Sequence, residues 1–153
     1  MKRVRRIKRR VKVLPRSKSK RFMVHPDPGL PHRVEVRISR TRAGMLGELR
    51  RIDNVHDADE CAGLCRTWNR KFTGRPAIRP GMVVARMYLN AQSLNRRPSE
   101  IVSHECGHAA MGWARLRNAN LRRMAGEEVM CYALGRLVSQ VNRVCFASGA
   151  FPE

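Results

Sequence analysis

The chain is poor in aromatic residues, in acidic residues and in long apolar runs, and it lacks a paired cysteine motif. Phe, Trp and Tyr make up only 5% of its 153 residues, so platforms for stacking bases are few. No run approaches the ~18 apolar residues of a membrane span, which argues against an integral helical membrane protein. The basic N-terminus has no apolar stretch behind it and does not read as a secretory signal. The five cysteines (Cys61, Cys65, Cys106, Cys131 and Cys145) are an odd number without a CxxC pair. That usage suits a reducing cytoplasm better than a disulfide framework.

What the chain has in excess is positive charge. Lys and Arg total 32 against 12 Asp and Glu, for a formal charge of +20. Residues 1–21 hold 12 of the basic side chains and no acidic one. Charges this dense repel one another and favour an extended state until a polyanion neutralises them. Residues 1–24 therefore read as a basic arm and residues 25–153 as the folded domain. The side chains between Lys2 and Arg21 are expected to contact nucleic acid or another polyanion, with counterion release as the driving force. The plainer reading is a solvated tail that aids solubility. Val4, Ile7 and Val11 interrupt the arm, so part of it has strand or short-helix character.

After a breaker-rich link at residues 25–31, Val34, Val36 and Ile38 alternate with Arg33, Glu35 and Arg37. This is the pattern of a half-buried strand. Gly44 and Gly47 suggest a turn between short strands over residues 41–52. Residues 57–72 carry Cys61, Leu64, Cys65, Trp68 and Phe72 at helical spacing, behind Asp57 as a potential N-cap, so a helix is expected there. Residues 82–89 alternate again as a strand. Pro98 suits the first position of a second helix, running to about Leu116. A third helix is expected from Glu127 to about Cys145, with an acidic start that favours the helix dipole. This order of elements gives an α+β fold.

The strongest chemical signal is His104-Glu105-Cys106-Gly107-His108, inside the second predicted helix. Four helical steps bring His104 and His108 to one face, one turn apart. Two imidazoles so placed can converge on one tetrahedral Zn2+. Glu105, about 100° around from His104, can reach a water acidified by that ion and act as its general base. The competing reading is two histidines hydrogen-bonded on a helix, with Glu105 in a surface ion pair. Cys106 lies about 200° from His104 and should face the core.

A zinc site needs a further protein ligand. Glu127 and Glu128, at the start of the next helix, are the candidates, and a short connection lets that helix return antiparallel. Glu128 is preferred because Tyr132, one turn later, shares its face and could orient a ligand or stabilise an oxyanion. Both glutamates are otherwise ordinary first-turn residues. His25, His32 and His56 read as exposed histidines, and Cys61 and Cys65 as core packing rather than ligands.

These residues resemble the minimal gluzincin metallopeptidases, in which HExxH on one helix is joined by a glutamate on a following helix. Glu128-Val129-Met130-Cys131-Tyr132 is similar to the ligand-helix signature of small ImmA/IrrE-type and phage-encoded peptidases, with Cys131 and Tyr132 where Ala and Asn are commoner. The resemblance covers residues 82–140. It implies a small zincin-like domain with one zinc ion on His104, His108 and Glu128, and Glu105 as base. It also implies substrate bound in extended form along the edge of the strand at residues 82–90. The function expected is therefore zinc-dependent peptide hydrolysis, with nucleic-acid-associated proteins as substrates suggested by charge. The alternative is a non-catalytic, basic nucleic-acid-binding or packaging protein on the same scaffold.

Overall fold

The computed structural model describes residues 19–56, 61–67, 82–117 and 119–151. Within them the fold is a small α+β unit with a four-stranded mixed sheet and four helices. The elements run β1 (Lys20–Val24), β2 (Arg33–Ser39), α1 (Arg42–Asp53), β3 (Leu64–Thr67), β4 (Val83–Asn90), α2 (Ala91–Leu94), α3 (Pro98–Leu116) and α4 (Met124–Ser148). The strand order is β1-β2-β4-β3. The central pair β2 and β4 is parallel, and each outer strand is antiparallel to its neighbour.

Alternation sets which side chain faces which layer. Val34, Val36 and Ile38 of β2 and Ala85, Met87 and Leu89 of β4 face α3 and α4. There they meet Val102, Cys106, Ala109 and Trp113 of α3 and Ala133, Leu137 and Val141 of α4, all buried. Each large apolar side chain so buried is worth about 1.5–3 kcal/mol. The opposite parity of the same strands is also covered: Tyr88 packs against Met45 and Leu49 of α1. On this second face Glu35 is 1% exposed. Its carboxylate lies 2.7 Å from Arg86 Nε, 2.7 Å from Arg21 Nε and 2.6 Å from Arg37 Nη2. Asp53 continues the network, 2.6 Å from Arg86 Nη1 and accepting the Tyr88 hydroxyl at 2.8 Å.

Several sequence expectations are corrected here. Residues 41–52 do not form a turn between strands; α1 occupies Arg42–Asp53. Thr41 caps it, its hydroxyl accepting the Gly44 N–H at 3.1 Å, and Asn54 ends it in the left-handed region at φ 53°. The cap and the Met45–Leu49 pair outweigh the two glycines. The helix expected over residues 57–72 is a strand at Leu64–Thr67; residues 57–60 and 68–81 lie outside the described residues. Pairing with β4 overrides the apparent helical period, and it separates two cysteines that a helix would align. Cys61 packs in the α1 layer and Cys65 in the α3 layer. The third helix is longer at both ends than expected, running from Met124 to Ser148. Finally, Lys20–Val24, the end of the expected arm, forms an edge strand of the sheet.

α3 occupies the expected residues, with Pro98 in its first turn. No helix among the described residues is long and apolar enough to cross a membrane.

Candidate metal centre

The HExxH residues sit in the middle of α3, where the helix passes from the core to the surface. The helical period buries Ile101, Val102, Glu105, Cys106, Ala109 and Ala110 and leaves His104 and His108 exposed. Cys106 is fully buried, and burial pushes its thiol up to about 12, so it is an inert core group.

The two imidazoles converge. Their Nε2 atoms are 3.2 Å apart, and the rings meet edge to face with centroids 4.8 Å apart. Two ligands of a tetrahedral zinc ion at 2.0–2.1 Å would be separated by roughly 3.3–3.4 Å. The pair is therefore spaced for two positions of one ion. A single shared proton, Nε2–H to Nε2, also fits the distance.

Glu105 lies beside the pair but is 5% exposed. Burial raises its pKa above the ordinary carboxylate value; nearby His104 and a hydrogen bond from the Cys65 backbone N–H act the other way. That N–H belongs to β3, so the outer strand of the sheet holds the carboxylate. The contact is close because residue 63 is glycine. A Cβ there would stand 3.2 Å from Glu105 Cγ and 3.3 Å from its Oε1. The segment leading into β3 is pinned from behind. Asn90, fully buried, donates from Nδ2 to the Ala62 carbonyl at 2.8 Å, and Arg42 Nε donates to the Cys61 carbonyl at 3.2 Å. A cleft of about 270 Å3 opens here, walled by Cys61, Ala62 and Gly63 on one side and by Arg97, Glu100, Ile101, His104 and Glu105 on the other.

The structure thus brings together His104, Glu105 and His108. It does not add the third ligand. Among the described residues no group of three or more His, Cys, Asp or Glu is arranged to hold a metal ion. Glu127 and Glu128 are exposed on the first two turns of α4, as is Cys131. Tyr132 is 68% exposed, on the side of α4 away from the buried stripe of Ala133, Leu137 and Val141. Its hydroxyl has no hydrogen-bond partner among the described residues. The donor set fits a zinc ion at two positions and leaves the third to be supplied.

The strand proposed to bind substrate is also corrected. β4 is paired with β2 on one side and, over Ala85–Tyr88, with β3 on the other, so neither edge is open over those four residues. Among the described residues, the strand beside Glu105 with an unpaired edge is β3. Sequence reasoning missed β3 and Gly63 because the apolar spacing at residues 61–72 imitates a helix, and Asn90 because its partner, the Ala62 carbonyl, is 28 residues away. His32, expected to be exposed, is buried, and its Nδ1 accepts the Trp113 indole N–H at 3.1 Å. No protein-family model, no curated protein and no solved structure matches this chain.

Proposed function

We propose that this chain is a zinc-dependent peptidase of the HExxH type. The observation that carries the reading is the pair of Nε2 atoms 3.2 Å apart, with a buried glutamate between them and an outer strand. His104 and His108 would hold the ion, and Glu128, or Glu127 beside it, is proposed as the third ligand. When bound, such an ion polarises a carbonyl and acidifies water. The peptide would lie extended along the free edge of β3, its backbone hydrogen-bonding to the strand. Glu105 would take a proton from the attacking water and deliver it to the leaving amine as the C–N bond breaks. Burial favours this, because a carboxyl whose pKa is raised both accepts and returns a proton readily. Tyr132 is assigned no step.

Elemental analysis tests the ligand set on the wild type, His104→Ala, Glu128→Ala and Glu105→Gln. One zinc per chain is expected in the wild type and in Glu105→Gln, and loss in the other two. Cleavage of a mixed peptide library, read by mass spectrometry, should disappear in Glu105→Gln. Zinc-free wild-type protein, or full cleavage by Glu105→Gln, overturns the reading and leaves the non-catalytic alternative.

A further inference from the structure

We propose that the outward face of α4 pairs with the same face of a second copy of this chain, the two helices running antiparallel about a two-fold axis. The pairing belongs to the metal-free chain, in which Glu128 is exposed, and it does not depend on the peptidase reading.

The first observation is where large apolar side chains are left in water. Among the described residues these are Met124, Tyr132 and Phe146, which are 77%, 68% and 67% exposed. All three belong to α4. At 100° per residue they fall within about 80° of one another around the helix, opposite the buried stripe of Ala133, Leu137 and Val141. Phe151 holds the Phe146 ring in place, edge to face with centroids 4.6 Å apart. Apolar side chains gathered on one face and rimmed by charge mark an interface. Between them the face is low. Gly135 and Ser139 lie in the same sector, and nothing stands within 4 Å of a Cβ at Gly135. A second helix can approach closely there.

The second observation selects the occupant. Turned end for end about the midpoint between Gly135 and Arg136, the face is complementary to itself. That reversal sets Phe146 against Ala125, Tyr132 against Ser139 and Glu128 against Arg143. Large side chains meet small ones, and the acid meets a base, in a single register. These six residues are all exposed and lie within about 60° of one another around the helix.

Glu128 and Arg143 have no ion-pair partner among the described residues. A two-fold axis makes their contact twice, whereas a parallel pairing would set like charge against like. Arg136, beside the midpoint, stands at the flank of the face with Asp27 3.6 Å away. An anionic membrane or a nucleic acid would meet Glu128 near the centre of this face and be repelled by it. A second copy supplies the arginine that Glu128 lacks.

Sedimentation equilibrium of the full chain, in a chelating buffer and over a concentration series, tests the pairing. The wild type should show a monomer–dimer equilibrium. Glu128→Arg and Arg143→Glu should each weaken association by roughly tenfold, although they change the net charge in opposite directions. The double variant Glu128→Arg/Arg143→Glu should restore it. Unchanged association in either single variant, or no recovery in the double, overturns the proposal. So does a wild-type chain that stays monomeric, whether or not it sediments with phosphatidylserine vesicles. Gly135→Cys gives an independent readout at a position open enough to keep the fold. Position 135 lies beside the two-fold axis, within disulfide reach of its own copy. Cys131 would stand roughly 13 Å from its own copy along the helix direction. Mild oxidation should therefore link two chains through position 135 and not through Cys131; any other pattern overturns the assignment.

Discussion

Trp113 donates its indole N–H to Nδ1 of His32 at 3.1 Å, in the interior between the β1–β2 link and α3. An accepting Nδ1 requires the neutral imidazole, with its proton on Nε2, and that nitrogen is buried without a partner. Burial and the nearby Arg117 hold the His32 pKa below 6.5, with Asp27 opposing. The unfolded chain therefore binds the proton more readily than the folded one. The stability from this group is full above the unfolded pKa and is lost as pH falls through the lower folded value. Urea midpoints at about pH 7.5 and about pH 5.5 should show a fall in the wild type and a smaller fall in His32→Asn. An equal fall in both removes His32 as the source.

Trp113→Phe keeps most of the packing and deletes the donor. The buried Nδ1 is then unsatisfied, which costs about 1–3 kcal/mol. Arg117, whose guanidinium carbon is 5.2 Å from the Trp113 ring centre, adds a smaller loss. Equilibrium denaturation of the variant measures the sum.

Glu35 is the hub of the charged layer under α1. Burial pushes its pKa up, but Arg86 and Arg37 outweigh that and hold it below the usual carboxylate value. Removing the carboxylate strands buried guanidinium groups. Glu35→Gln should lower stability by about 3–5 kcal/mol, measured by urea or thermal unfolding. Arg21→Gln, at an exposed partner of the same carboxylate, should cost about 1 kcal/mol or less.

Two glycines should respond in opposite directions. A Cβ at Gly112 would stand 2.5 Å from Thr67 Cγ2, so Gly112→Ala forces β3 away from α3 and should cost about 1–3 kcal/mol. Gly135 lies on the open side of α4 with nothing near its missing Cβ. Gly135→Ala should stabilise by about 0.5–1 kcal/mol. Paired melting curves check both.

His104 and His108 are exposed, and their rings meet edge to face. In metal-free protein, His104→Ala and His108→Ala should each change stability by within about 0.5 kcal/mol. A larger loss would mean that the pair supports the fold rather than a ligand.

The elements that carry the candidate site were partly legible. α3 has its proline start, its HExxH pair and an unambiguous apolar stripe, and β2 and β4 alternate cleanly. β3 was not legible because Cys61, Leu64 and Cys65 satisfy a helical period by coincidence, and only pairing with β4 decides the matter. α1 was hidden by Gly44 and Gly47, which sit on a helix held by its cap and by Tyr88. The charged parity of β2 looked like a solvent face. Glu35 in its middle is buried, because α1 covers that face and arginines surround the carboxylate. Position along the chain narrows the candidates for a third ligand to two glutamates, and both are exposed in the first turns of α4.

The parallel pairing of β2 and β4 joins strands separated by more than forty residues of chain. The α3–α4 hairpin, by contrast, links neighbours across a short connection. Loop-closure entropy then makes the central sheet the slow step of folding, late after local helix contacts. During that interval the apolar stripe of α3 is left without its sheet. During synthesis β2, α1 and β4 all emerge before α3, so on the ribosome the two strands can pair before that stripe exists.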